Sequence, residues 1–247
     1  VVRVRCVLLD EAFVDTKSPV NISIDMHLGR DEMFLFEWMG LTPVEVGGVI
    51  TGYSIPMGAI EVANSPDIYL ESSGGVYKVS TAVLSTCSFS LGPKTVASVT
   101  VTGQGSKMEL VPSVPAAATQ TIQSSSTFYS SSIEVADVGR LNGVTIEYTR
   151  DVTWVGQKSV HQIGEVIYPF NPIVTRFAIA GSITSYTNPD SPILWEGIRD
   201  INITDSEFNF LFDRCMVSTR LETASSIHKT VVDYKLIPNN NSYINII

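Results

Sequence analysis

Apolar and polar residues alternate along much of the chain. From Val20 to His27, Val20, Ile22, Ile24 and Met26 are interleaved with Asn21, Ser23, Asp25 and His27. The alternation returns at Val144, Ile146 and Tyr148, set against Thr145, Glu147 and Thr149. A period of two sends successive side chains to opposite faces, so each stretch predicts a strand with one dry and one wet face. The two strands open a longer match. Val20 to Gly40 aligns without a gap onto Val144 to Gly164, and each copy closes on an apolar residue plus Gly, at Met39-Gly40 and Ile163-Gly164. Identity between the copies is low, so the match is one of pattern.

Strand composition continues on both sides of these copies. Val1 to Leu9 alternates Val2, Val4 and Cys6 with Arg3 and Arg5. It reads either as an edge strand with its basic side in water or as an arm that pairs with a neighbouring subunit, with Arg3 and Arg5 as contacts. Thr42-Pro43 and Gly47-Gly48 predict a loop, and 49–60 a strand bent near Pro56 and Gly58. The Asn64-to-Asp67 turn predicts a capped helical turn at Ile68-Tyr69-Leu70. Strands at 76–91 and 95–102 flank a Gly92-Pro93-Lys94 turn. Further strands are expected at 133–138, 173–186, 201–204, 207–212, 216–222, 230–237 and 243–247.

Helical periodicity is nowhere sustained. The nearest approach, Met33 to Met39, fits a short helix or an aromatic loop and supplies Phe34 and Trp38 as subunit-contact candidates. Residues 112–132 carry no charge and are rich in Ser, Thr, Ala and Pro, the composition of a linker, with Phe128 and Tyr129 as an anchor onto a surface. The expected organisation is a first half at 1–111, a linker at 112–132 and a second half at 133–247. The expected class is an all-β sandwich or barrel.

Composition narrows the function. Charged residues make up 17% of the chain, against roughly 25% in a typical soluble domain, and apolar residues 44%. Mean hydropathy is +0.20, yet no apolar run reaches the ~18 residues that span a bilayer. Such a chain is expected to hide surface in an oligomer. The net charge of −9 argues against a general nucleic-acid-binding surface, which needs phosphate-neutralising cations. Cys6, Cys87 and Cys215 are an odd, widely spaced set and read as reduced core thiols. No secretory leader is recognisable, although the first residue is Val rather than Met, which leaves processing open.

Catalytic signatures are missing. His27, His161 and His228 have no ligand spacing, and the sequence holds no GxSxG, HExxH or P-loop pattern. Asp31, Glu32, Asp151 and Glu165 form no distinguishable catalytic pair. No enzyme, metal site or cofactor is expected. The dispersed aromatics Trp38, Trp154, Trp195 and Tyr148 leave a carbohydrate-binding sandwich, a lectin or fibre module, as an alternative.

The order of parts resembles the tail-tube proteins of tailed bacteriophages. The residues that carry the likeness are VNISIDMHLGRDE…WMG and VTIEYTRDVTW…HQIGE…YPFNPIVTRFAIAGSIT, with Arg150, Ile163-Gly164-Glu165, Pro172 and Gly181-Ser182, together with the hairpin at 83–105. The resemblance implies a structural virion protein whose subunits form stacked rings around a continuous inner β-barrel. It implies a tape-measure protein and genomic DNA in the lumen, terminator and baseplate proteins at the ends, and a place in the virion tail after synthesis in the bacterial cytoplasm. A distal tail or baseplate hub protein of the same fold is the close variant. Two halves per chain would give a trimer with pseudo-sixfold symmetry, and one enlarged domain a hexamer. The lumen-facing residues would be Asn21, Ser23, Asp25, His27, Thr145, Glu147 and Thr149, which include acids and no Lys or Arg.

Overall fold

The computed structural model describes residues 2–5, 13–16, 18–28, 34–55, 65–116, 129–130, 133–155, 166–187, 193–205, 208–224, 227–238 and 242–246. Its elements are nearly all strands. In the first part of the chain they are β1 (Val2–Arg5), β2 (Phe13–Thr16), β3 (Val20–His27), α1 (Phe34–Trp38), β4 (Thr42–Val46), β5 (Val49–Ser54), β6 (Ile68–Ser72), β7 (Gly75–Ser80), β8 (Val83–Leu91), β9 (Thr95–Val96), β10 (Ser98–Gly105) and β11 (Lys107–Val111). The rest follow as β12 (Tyr129–Ser130), β13 (Glu134–Val135), β14 (Leu141–Val155), β15 (Val166–Ile167), β16 (Phe170–Tyr186), β17 (Gly197–Thr204), β18 (Phe208–Ala224), β19 (Ile227–Leu236) and β20 (Tyr243–Ile246). The all-β class predicted by the alternation is the class observed.

One large sheet dominates, in the order β3-β10-β8-β14-β16-β19-β18-β20-β5-β4, with β17 and β13 joined to it through β18. It takes strands from both sides of the 112–132 segment. Of that segment, 117–128 and 131–132 lie outside the described residues, and Tyr129–Ser130 pairs with β9. Three smaller sheets complete the fold: β1-β2-β15, β11-β7-β6 and β12-β9. The path of the large sheet ends at β3 and β4 without closing.

The large sheet folds over itself along β18. The start of this strand, Phe208 to Leu211, pairs with β20, and the later part, Cys215 to Ala224, pairs with β19. Phe208, Phe210 and Phe212 alternate inward from it and are fully buried. Phe210 lies 6.1 Å from Phe89 of β8, so β18 and β8, well separated along the sheet, face one another across the core. Phe36 of α1 fills the gap, 5.9 Å from Phe89, 5.1 Å from Tyr53 and 6.4 Å from Phe208. Ring pairs at these distances bury large apolar area and add roughly 0.5–1.5 kcal/mol each beyond it.

Several local expectations are corrected. Ile68-Tyr69-Leu70 begins strand β6 instead of a helical turn, because β7 offers it a hydrogen-bonded partner along its whole length. Asp67, the last residue of the turn expected to cap it, accepts the Thr81 N–H at 3.1 Å and pairs with Lys78 at 2.8 Å. Residues 42–46 form β4 instead of a loop, and Gly47-Gly48, both at positive φ, turn it into β5. Pro43 is tolerated because β4 is an edge strand. The expected strand at 76–91 divides at Thr81-Ala82 into β7 and β8, which belong to different sheets. Pro56, Gly58 and Ile163-Gly164-Glu165 lie outside the described residues.

The two pattern copies are also connected differently. In the second, β14 pairs directly with its return strand β16. In the first, β3 pairs with β10, while β5 sits at the other end of the sheet against β20.

Candidate functional site

Register carries the two alternating strands onto one surface. Asp25 of β3 faces Thr100, Thr100 faces Ser88, and Ser88 faces Glu147 of β14. The next row runs His27, Ser98, Ser90 and Thr145. The third runs Ser23, Thr102, Thr86 and Thr149. Side chains directly opposite on neighbouring strands share a face, so these twelve residues form one patch four strands wide. Its groups are hydroxyls apart from Asp25, Glu147 and His27, and no Lys or Arg is among them. Ser23, Asp25, His27, Thr145 and Glu147 are exposed and Thr149 is half-buried. Asn21, also exposed, extends the patch beside Gln104.

Cross-strand hydrogen bonds hold the short side chains down. Thr100 donates to Asp25 Oδ1 at 2.7 Å, and Thr145 and Ser182 share a bond of 2.9 Å. Ser85 and Thr102 hydroxyls lie 3.1 Å apart. The result is a low, neutral-to-acidic surface. It continues over β16 as Ala178, Ala180 and Ser182. Cations flank the patch beyond its twelve residues, as Arg176 on β16, Lys229 and Lys235 on β19 and Arg220 on β18. Arg220 Nε donates to Asp233 at 2.9 Å and its Nη1 bonds Glu222; the Asp233 hydrogen bond holds the guanidinium even more firmly charged than usual.

The opposite face is dry. Ile22, Val99, Val101, Cys87, Phe89, Val144, Ile146 and Tyr148 are buried there. Burial pushes the Cys87 thiol and the Tyr148 phenol each up to about 12, so neither is a reactive group at neutral pH. From the middle of β14, Tyr148 Oη donates to the Met39 carbonyl and Arg150 Nη1 to the Trp38 carbonyl at 2.8 Å. Both bonds fasten the C-terminal end of α1 beneath the patch.

A glycine shapes the same region. Tyr234 Oη donates 3.0 Å to the Thr145 carbonyl, crossing β16 over Gly181. A Cβ on Gly181 would stand 2.0 Å from that carbonyl and 2.5 Å from Tyr234 Oη.

The predicted subunit-contact residues fare differently. Phe34 is exposed on α1. Trp38 is corrected to a core residue: it is 6% exposed, and its indole N–H donates to the Ala82 carbonyl at 3.0 Å. Arg3 and Arg5 lie on β1, opposite Asp15 and Phe13 of β2. Tyr129 lies opposite Val96, and Phe128 is outside the described residues. The sequence reading expected strands at 76–91 and 95–102 but did not assign their hydroxyl faces to the patch. Their signal was present, in Ser88 and Ser90 alternating with Cys87, Phe89 and Leu91. Among the described residues no group of His, Cys, Asp and Glu is placed to hold a metal ion, and no helix is long and apolar enough to cross a membrane.

The model of the Bacteriophage Baseplate Tube Protein Family matches residues 9–247. The chain belongs to this family. Membership in the baseplate tube family supports a structural role in the tube or baseplate of a phage virion. No curated protein matches the chain.

Proposed function

We propose that this chain is a ring-forming subunit of the conduit through which phage DNA leaves the particle, with the β3-β10-β8-β14 patch facing the lumen. The single observation that carries this reading is the register-linked patch from Asp25 to Glu147, whose twelve residues include no Lys or Arg. Short hydroxyl side chains give a smooth wall. Two carboxylates on it disfavour phosphate, and screening confines their effect to about 8–10 Å, the depth over which a passing duplex would otherwise be held. The chain's charge-poor, apolar composition fits burial between copies. The tape-measure protein, terminator proteins and other baseplate proteins are the expected neighbours. The description of the matched family favours a short segment at the baseplate, the second of the two placements expected above, over the long tail tube.

Negative-stain imaging of the purified chain at high concentration tests the proposal. Rings or short tubes with a central channel support it. Dispersed monomers at all concentrations contradict it. Copy number per virion separates the two placements, since one or two rings fit the baseplate and a long stack fits the main tube.

A further inference from the structure

Among the open edges that the described residues leave on the sheet carrying the polar patch, two match. One is β3, which pairs only with β10. The other is the end of β18, past Val217, where β17 stops. Trp195 still flanks Thr219, donating its N–H to Thr219 Oγ1 at 2.8 Å, so the edge opens from Arg220 onward. From β3 through β10, β8, β14, β16 and β19 to β18, every step is antiparallel. Six reversals leave β18 running in the same direction as β3. A rotation therefore brings β3 of one copy beside β18 of the next without inverting either, the condition for a closed head-to-tail ring. β3 also lacks the usual edge protection: VNISIDMH holds no Pro and no Lys.

We propose that β3 of one copy pairs in parallel with the end of β18 of a second copy, in the register that sets Asp25 beside Arg220. This inference rests on the ring reading above and specifies its seam. The register is chosen by both faces of the sheet. On the polar face it places Asp25 by Arg220 and His27 by Glu222, two pairs in which an acid meets a basic group. On the dry face it places Met26 by Leu221. Leu221 is 60% exposed although it shares the face on which Val217 and Cys215 are buried, so a neighbouring strand is what its side chain lacks. A slip of one residue would exchange the two faces. A slip of two would set Asp25 by Glu222, or His27 by Arg220, and lose the complementarity. The opposing alternative, β3 against β3, would be antiparallel and would stop at a dimer.

The test uses two single variants of the full chain, His27→Cys and Glu222→Cys, each in a Cys6→Ser background; the remaining thiols Cys87 and Cys215 are buried. The two proteins are mixed at high concentration and treated with a short bismaleimide. The expected result is a cross-linked dimer in the mixture at least tenfold more abundant than in either variant alone, and a ladder of higher species in the double variant. Dimer formed equally by His27→Cys alone would overturn the seam in favour of β3 against β3. Rings seen by imaging without the mixed cross-link would overturn the seam and leave the conduit reading standing. Monomers throughout, by imaging and sedimentation, would overturn both.

Discussion

Arg150 Nη1 donates to the carbonyl of Trp38 at 2.8 Å, tying β14 to the short helix beneath it. Arg150 is 5% exposed, and its Nε has no hydrogen-bond partner among the described residues. Burial lowers the Arg150 pKa from its ordinary value. A buried charge held by a main-chain carbonyl contributes through what its removal leaves unpaired. Arg150→Ala exposes the Trp38 carbonyl to an apolar cavity and is expected to cost about 2–4 kcal/mol. Urea denaturation of the isolated chain checks this, and a loss under about 0.5 kcal/mol, the scale of a plain surface substitution, would show that the contact is dispensable.

Gly181→Ala is expected to cost more than Tyr234→Phe. The phenylalanine variant forfeits one hydrogen bond, to the Thr145 carbonyl, worth about 1 kcal/mol. The alanine must in addition push apart two paired strands, because its Cβ meets the Thr145 carbonyl at 2.0 Å. A loss of about 2–4 kcal/mol is the expected scale for a clash that the backbone must absorb. Thermal melts of the two variants side by side give the ranking.

Much of this was legible in the sequence. The strict alternation of Val20–His27 and Val144–Thr149 fixed strand, faces and polarity, because a half-buried strand has no other way to be written. The Gly92-Pro93-Lys94 turn likewise announced the β8–β10 hairpin, closed by Thr95 N–H to the Gly92 carbonyl at 3.2 Å. Strand order was not legible, since pairing across 75 residues between Asp25 and Thr100 leaves no local trace. Ile68-Tyr69-Leu70 misled because three apolar residues carry no period, and β7 decided the outcome. Trp38 misled because an aromatic looks the same in sequence whether it meets a partner or, as here, the chain's own Ala82 carbonyl.

The small β11-β7-β6 sheet is expected to loosen in acid. Burial pushes the Asp67 carboxyl up, but hydrogen bonds from Lys78 and the Thr81 N–H, with the Lys78 charge, more than offset it and hold the carboxyl below its ordinary value. The hydrogen bond from Lys107, and then its charge, likewise lower Glu109. A carboxylate with a depressed folded pKa stabilises fully above its unfolded pKa, about 4, and the contribution fades as pH falls through the folded value. Hydrogen exchange of the β6 and β7 amides should therefore quicken below about pH 4, less so at high salt, because these pairs are exposed. Asp67→Asn should flatten that acid dependence in β6 and β7.

Reversing the sign of the polar patch is expected to leave folding intact and make the wall adhesive. Thr145→Lys with Glu147→Lys puts two cations on exposed positions of β14, away from the β3 edge. Each new phosphate contact steepens the salt dependence of DNA binding by a slope of about one. Purified assemblies of the double variant should retain short duplex DNA at low salt and release it at high salt, and phage carrying the change should eject poorly. Normal infectivity of the double variant would count heavily against a lumenal position for these residues.

The most direct measurement is a cryo-electron microscopy reconstruction of the assembled conduit containing this chain. The account predicts that Asp25, Thr100, Ser88 and Glu147 of every copy project into the central channel. A map in which that row lies on the outer wall, or packs against another protein away from the channel, would contradict it.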